Sequence, residues 1–272
     1  MKVAAIQMAS GSNISGNLLE VEKLISSAAA DGAEMVVLPE NFGMIGVQPK
    51  DVVPCRETQG QGPLQDFLAE QSARHSIIIA GGTIPLESDD AGHYRNSLLV
   101  YNQQGECVAR YDKIHLFDVA LPDEGESYHE SAVIHSGVDP VVVDMGSFKM
   151  GLAICYDLRF PELFRLLLDK GADVIVLPSA FTAVTGKAHW HALLKARAIE
   201  NLSYVVASAQ GGYHVNGRET YGHSLILDPW GNVLDEIRSG SGYAIADISF
   251  SQQKQLRKRF PVLSHRKFFV HA

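Results

Sequence analysis

Short apolar runs alternate along this chain with longer stretches in which apolar residues recur every three to four positions. The first kind reads as buried strand, the second as amphipathic helix. Val3–Met8 and Glu34–Leu38 are predicted strands. Asn17–Ala30 between them is a predicted helix, with Leu18, Leu19, Val21, Leu24 and Ile25 near helical spacing. A helix over Pro63–Arg74 leads to a strand over Ile77–Ala80 that stops at Gly81-Gly82. Asn96–Tyr101 and Glu106–Tyr111 flank Asn102-Gln103-Gln104-Gly105, a hairpin signal. Val141–Asp144 and Phe148–Cys155 form a second pair around Met145-Gly146-Ser147. Helix Glu162–Lys170, strand Val174–Leu177, helix His189–Glu200 and strand Tyr204–Ser208 then follow. A last pair, Ser224–Leu227 and Val233–Ile237, surrounds Pro229-Trp230-Gly231-Asn232.

The pattern contains one internal echo. Gly32-Ala33-Glu34-Met35-Val36-Val37-Leu38-Pro39-Glu40 matches Gly171-Ala172-Asp173-Val174-Ile175-Val176-Leu177-Pro178-Ser179. Both segments follow a helix and both form an apolar strand ending in Leu-Pro. The simplest reading is an α/β protein of two similar βα halves packed as one sandwich, sheets inside and helices outside. The alternative is a chance likeness of two parallel strands. No linker or low-complexity segment divides the chain.

Composition supports a large core: 272 residues, 46% hydrophobic and 20% charged. The net charge of −8 argues against a nucleic-acid or anionic-membrane partner. No apolar stretch approaches a membrane span, and the opening Met1-Lys2-Val3-Ala4-Ala5-Ile6-Gln7-Met8 is too short and interrupted for a signal peptide. Cys55, Cys107 and Cys155 lack paired spacing, which fits a reducing compartment without a disulfide framework. A cytoplasmic protein is the expectation.

Three predicted strand ends carry reactive side chains. Glu40 follows Val36-Val37-Leu38-Pro39. Lys113 follows Val108-Ala109-Arg110-Tyr111-Asp112. Cys155 ends Met150-Gly151-Leu152-Ala153-Ile154 and precedes Tyr156-Asp157-Leu158-Arg159-Phe160, with Pro161 suited to the first turn of the next helix. The carboxyl ends of strands are where open α/β folds place ligands. Taken singly, Glu40 could cap a turn, Lys113 could be a solvated loop residue and Cys155 could be core. Together they form a chemically complete set. The thiol is a nucleophile, the carboxylate takes its proton and then activates water, and the ammonium neutralises an oxyanion. A nearby ammonium also lowers a thiol pKa, as do N–H groups entering a helix.

These residues resemble the nitrilase superfamily of carbon–nitrogen hydrolases. The stretches that carry the resemblance are Leu38-Pro39-Glu40-Asn41, Tyr111-Asp112-Lys113-Ile114-His115-Leu116 and Gly151-Leu152-Ala153-Ile154-Cys155-Tyr156-Asp157-Leu158-Arg159-Phe160-Pro161-Glu162. It extends from Val3-Ala4-Ala5-Ile6-Gln7 to Pro261-Val262. It implies one domain over residues 1–272, a four-layer αββα sandwich, a Glu-Lys-Cys triad of Glu40, Lys113 and Cys155, and no cofactor. It also implies a homodimer or higher homo-oligomer. A second glutamate that positions the triad matches Glu130, with Glu124 and Glu126 nearby as alternatives.

Within the superfamily the chain is similar to the deaminated glutathione amidases. The supporting stretches include Pro178-Ser179-Ala180-Phe181-Thr182, Ala188-His189-Trp190 and Tyr221-Gly222-His223-Ser224. The resemblance implies a small carboxylated amide as substrate, with Tyr156, Arg159, Phe181 and Thr182 in contact with it. It implies cleavage to 2-oxoglutarate and Cys-Gly, with omega-amidase chemistry on 2-oxoglutaramate, or another amide, nitrile or carbamoyl hydrolysis, as the alternative. The match departs at Lys187 and His191, where relatives usually carry Pro and Glu. A carboxylated substrate needs a cation. Arg159 is the first candidate, Arg197 is equally a structural ion-pair partner, and Arg218 is expected in solvent.

Two rival readings fit less well. The eleven histidines show no HExxH, and His189 and His191 are two apart, on different helix faces, so no metal is expected. A non-enzymatic binding scaffold need not keep three reactive groups.

Overall fold

The computed structural model describes residues 1–120 and 127–269. The chain opens with β1 (Lys2–Gln7), α1 (Ile14–Ala30), β2 (Met35–Val37), α2 (Pro63–His75) and β3 (Ile78–Ala80). β4 (Ile84–Glu87), β5 (Tyr94–Tyr101) and β6 (Cys107–Asp112) follow, then a ribbon of β7 (Asp118–Ala120) and β8 (Ser127–His129). The second half holds β9 (Val142–Asp144), β10 (Lys149–Leu152), α3 (Pro161–Asp169), β11 (Val174–Ser179), α4 (Ala183–Asn201) and β12 (Tyr204–Ala209). A ribbon of β13 (Gly211–Tyr213) and β14 (Glu219–Tyr221), then β15 (Ser224–Leu227), β16 (Val233–Ile237), β17 (Gly242–Asp247) and α5 (Phe250–Arg259) complete it.

Two sheets result. One has the order β17-β1-β2-β3-β5-β4, with β6 also on β5; the other runs β16-β15-β12-β11-β10-β9. Each is centred on three parallel strands, β1-β2-β3 and β10-β11-β12. Parallel strands are covered on both faces, which is why they read as unbroken apolar runs. Val3, Ala5, Met35 and Val37 turn toward the second sheet, in one core with Ile175, Leu177, Val205 and Ala207. The alternate residues Ala4, Ile6, Val36 and Leu38 pack with Val21 and Ile25 of α1 and Leu64 and Leu68 of α2. α3 and α4 cover the second sheet with Leu163, Phe164, Leu167, Trp190 and Leu194. The architecture is the expected αββα sandwich.

The sequence echo is a structural repeat. Gly32 and Gly171 sit at φ +89° and +95°, the left-handed region that glycine tolerates and that ends each helix. Ala33 N–H then bonds Ala28 O, and Ala172 N–H bonds Leu167 O, at 2.9 and 3.0 Å. The next residue is acidic in both halves. Glu34 Oε1 accepts the Lys2 amide at 2.8 Å, and Asp173 Oδ2 accepts the Lys149 amide at 3.1 Å. Each therefore pins the first strand of its own parallel trio to the second. Such matched detail excludes a chance likeness. Because the halves face one another, the Pro39-Glu40 and Pro178-Ser179 ends arrive at the same rim of the sandwich, where the Ala180 amide donates to Glu40 Oε2.

Some boundaries differ from expectation. α4 begins at Ala183 rather than His189, because Thr182 Oγ1 accepts the Thr185 amide and caps the turn. β17 and α5 carry no clear apolar period, and tertiary pairing makes them: β17 lies antiparallel on β1 along its whole length. Among the described residues no helix is long and apolar enough to cross a membrane. All three cysteines are free.

Leu177 is fully buried in the central strand β11, whereas Leu234 in the edge strand β16 is 40% exposed. Leu177→Ala should cost about 3 kcal/mol in denaturant unfolding and Leu234→Ala under ~0.5 kcal/mol. Equal losses would contradict this layering.

Candidate active site

Glu40 leaves β2 through Pro39 and is brought to the rim by a close crossing. A Cβ on Gly82 (φ +57°) would lie 2.3 Å from the Pro39 carbonyl oxygen, so only glycine fits beneath the turn. The Glu40 side chain is buried and fully paired. Oε1 accepts Asn96 Nδ2 at 3.0 Å and Lys113 Nζ at 2.8 Å. Oε2 accepts the Ala180 amide at 2.8 Å. Its backbone carbonyl accepts Gln210 Nε2 at 2.9 Å. These contacts join strands of both sheets.

Lys113 follows β6 and has no solvent exposure at all. Its amide donates to Asn96 O, and Gly137 N–H donates to its carbonyl, at 3.0 and 2.8 Å. Its ammonium bridges two carboxylates. Beyond Glu40, it lies 2.9 and 2.8 Å from Oε1 and Oε2 of Glu130. Glu130 opens a short 3₁₀ turn, Glu130–Ala132, and is fixed by the Phe117 amide on Oε2 at 2.8 Å. The expected position of the second glutamate is therefore beside the lysine. The alternatives Glu124 and Glu126 lie outside the described residues.

Cys155 stands three residues past β10 at φ +46°, a strained conformation for a non-glycine residue. It starts the 3₁₀ turn Cys155–Arg159, and α3 begins only at Pro161. The expected placement at the mouth of an α-helix is thus replaced by a separate tight turn. Buried Asp157 holds that turn. Its Oδ2 accepts Tyr111 Oη at 2.7 Å and the Ile154 amide at 2.8 Å, and its Oδ1 accepts the His115 amide at 3.1 Å and meets His115 Nδ1 at 2.7 Å. One carboxylate so ties the cysteine turn to the segment carrying Lys113. From the other side, Arg197 Nε and Nη2 donate to Leu158 O at 3.0 and 2.7 Å.

The electrostatics follow from burial and pairing. Burial pushes Glu40 up, but the Lys113 ammonium and its hydrogen bond leave the Glu40 pKa below the ordinary glutamate value. Burial pushes Lys113 down, and Glu130 and Glu40 overcome it, holding the ammonium well above the usual lysine range. Cys155 goes the other way. Burial and then the Glu40 charge raise its pKa, and Lys113 lowers it only in part. The expectation of a thiol lowered by Lys113 is corrected on this point: Lys113 does pull the pKa down, but burial and Glu40 outweigh it, and at rest Cys155 is a neutral thiol. The arrangement can pass the Sγ proton to Glu40 at the moment sulfur attacks.

A narrow cavity of about 20 Å³ opens beside the thiol, lined by Glu40, Glu130, Cys155, Tyr156, Arg159, Phe181, Thr182 and Arg218 among others. All four expected substrate-contact residues, Tyr156, Arg159, Phe181 and Thr182, border it. The Arg159 guanidinium lies over the Tyr156 and Phe181 rings, 5.8 and 5.2 Å from their centroids. Arg218 is not in free solvent as expected. It is half-buried on the cavity wall, its Nη2 on the Ala180 carbonyl, its guanidinium 5.0 Å from the Tyr128 ring centroid and its buried Nε without a protein partner. Arg197 is away from the cavity and acts as a brace. Asn96 and Asp157 are the site residues to which motif reading assigned no role. The signal for Asn96 was a lone amide inside an apolar strand.

The carbon–nitrogen hydrolase family model matches residues 2–258. The chain belongs to this family. It is 45% identical over 268 residues to the deaminated glutathione amidase of Synechocystis sp., covering 97% of both chains. It is 38% identical to the deaminated glutathione amidase of Yersinia enterocolitica, covering 98% of this chain and 93% of that one. The crystal structure of Saccharomyces cerevisiae Nit3, a nitrilase-superfamily member, superposes with a TM-score of 0.88 at 30% identity over 98% of this chain and 97% of Nit3. The chain is accordingly a carbon–nitrogen hydrolase.

Because the Cys155 pKa lies above the ordinary thiol value, its iodoacetamide alkylation rate should show no inflection between about pH 6 and 8.5, where a thiol of lowered pKa titrates. Site-resolved mass spectrometry checks this. An inflection within that window would mean a lowered pKa and contradict the assignment.

Proposed function

We propose that Cys155, Glu40 and Lys113 hydrolyse the amide of deaminated glutathione, giving 2-oxoglutarate and Cys-Gly. The observation that carries this reading is the Lys113 ammonium 2.8 Å from Glu40 Oε1, with Glu40 and Cys155 lining the same cavity. The likeness to amidases of that name supports the substrate.

Cys155 Sγ attacks the amide carbonyl while its proton passes to Glu40. The carbonyl oxygen takes the charge, stabilised by Lys113 Nζ and the Tyr156 backbone N–H. Glu40 returns the proton to the departing nitrogen, the C–N bond breaks and a thioester remains on Cys155. Water then gives a proton to Glu40 and adds to the thioester; collapse returns the proton to sulfur and releases the acid. Glu130 keeps Lys113 in place and charged throughout. Phe181 and Thr182 border the acyl group, and Arg159 and Arg218 pair with the substrate carboxylates, one with a free hydrogen-bond donor, Nε.

Release of 2-oxoglutarate is measured from deaminated glutathione and, in parallel, from 2-oxoglutaramate. Faster release from deaminated glutathione is expected. Cys155→Ala and Lys113→Ala should each lower kcat by roughly a hundredfold or more. Substantial turnover by Cys155→Ala would refute the nucleophile assignment. A preference for 2-oxoglutaramate would overturn the substrate and leave the chemistry.

A further inference from the structure

A second cluster of reactive side chains lies apart from the cavity beside Cys155. His191 comes from the middle of α4, His223 from the loop between β14 and β15, and Glu236 from the edge strand β16. His191 Nε2 and His223 Nδ1 both point at one oxygen, Glu236 Oε1, at 2.8 and 2.6 Å. The three donor atoms all lie within 4.8 Å of one another. None of the three lines the cavity. We propose that His191, His223 and Glu236 bind a divalent transition-metal ion of the zinc class.

The donor set is the first argument. Two imidazole nitrogens and a carboxylate oxygen suit a borderline ion such as Zn²⁺ and not Mg²⁺ or Ca²⁺, which take oxygen ligands. A Zn²⁺ ion with ligands at about 2.0–2.2 Å holds them roughly 3.3 Å apart. The two nitrogen–oxygen distances, 2.8 and 2.6 Å, need to open by about 0.5 and 0.7 Å. A turn of the Glu236 carboxylate provides that.

Preorganisation is the second argument. The three donors sit on separate, fixed pieces of backbone. His223 is held at φ +55°. Its carbonyl accepts the indole N–H of fully buried Trp190 at 2.9 Å, tying the loop to the residue that precedes His191. Its ring stacks on Tyr221 with centroids 4.2 Å apart, and the His191 ring meets the His223 ring edge-on at 5.2 Å. Tyr221 is itself wedged against Gly186 of α4, where an added Cβ would lie 2.4 Å from it. Ligands placed by packed aromatics and strand register need little reordering to bind.

The third argument is access and charge. All three residues are half-buried, so an ion can enter and keep water in its remaining position. The single carboxylate lowers the net charge left by M²⁺ to +1. Among the described residues Arg238, 3.7 Å from Glu236 Oε2, is the one lysine or arginine paired with that carboxylate, and its side chain is 80% exposed and free to swing away. In the sequence His191 is weighed only with His189 and no metal is expected, because its partners here stand 32 and 45 residues away, on other elements.

The test is a calorimetric titration of Zn²⁺ into the metal-free full-length protein near neutral pH, after Cys155 has been blocked with iodoacetamide. Saturable binding at one equivalent per chain is expected, with no response to Mg²⁺. His191→Ala and His223→Ala should each weaken it by about tenfold or more, the size of loss that even an outer ligand contact produces. They should leave the hydrolytic rate of unblocked, metal-free protein unchanged. A readout on the unaltered chain guards against folding effects: Zn²⁺ should slow carbethoxylation of His191 and His223 in peptide-mapped wild type. Absence of saturable binding up to millimolar Zn²⁺, equal binding in both variants, or unprotected histidines would each overturn the proposal and leave a hydrogen-bonded cluster only.

Discussion

A buried ammonium between two carboxylates is the constraint around which this molecule is arranged. Lys113 is without solvent exposure, and Glu40 beside it is nearly so. Charges removed from water persist only when closely paired and hydrogen-bonded, and removing one partner of such a pair costs about 3–5 kcal/mol. The pairing must therefore be supplied by the fold. Glu40 arrives from one parallel trio, the Ala180 amide that satisfies its second oxygen arrives from the other, and Lys113 and Asn96 come from the antiparallel strands flanking the first. The sandwich cannot separate its halves without stranding these charges.

That constraint also sets the chemistry. The same Glu40 that stabilises the ammonium disfavours a thiolate beside it, and burial adds to the effect, so Cys155 is held as a thiol. Activation then depends on position rather than on a standing negative charge. The turn that places the sulfur is strained at φ +46°, and Asp157 with Arg197 opposes its relaxation. Asp157 links the cysteine turn to Tyr111 and His115 on either side of Lys113, so nucleophile and ammonium share one brace.

Much of this is legible in the residues alone. Fully buried parallel strands such as Val174–Leu177 announce themselves as unbroken apolar runs, and the Leu-Pro endings of the two repeated segments mark the rim where Glu40 sits. What could not be read lies in contacts made at long sequence separation. Arg218 is on a Gly-containing loop, and nothing local shows that the Ala180 carbonyl and Tyr128 ring await it. The sequence pattern predicts too late a start for α4 because the segment 183–188 has no apolar stripe and its cap is a single threonine hydroxyl. The thiol pKa is not legible for a similar reason: the lysine is visible in the sequence, but the depth of burial that outweighs it is not.

The most direct test of the account is mass spectrometry of protein quenched during turnover of deaminated glutathione. A 2-oxoglutaryl thioester on the peptide carrying Cys155, absent from peptides carrying Cys55 and Cys107, is the predicted result. Continued product release with no acyl group on Cys155 would contradict it.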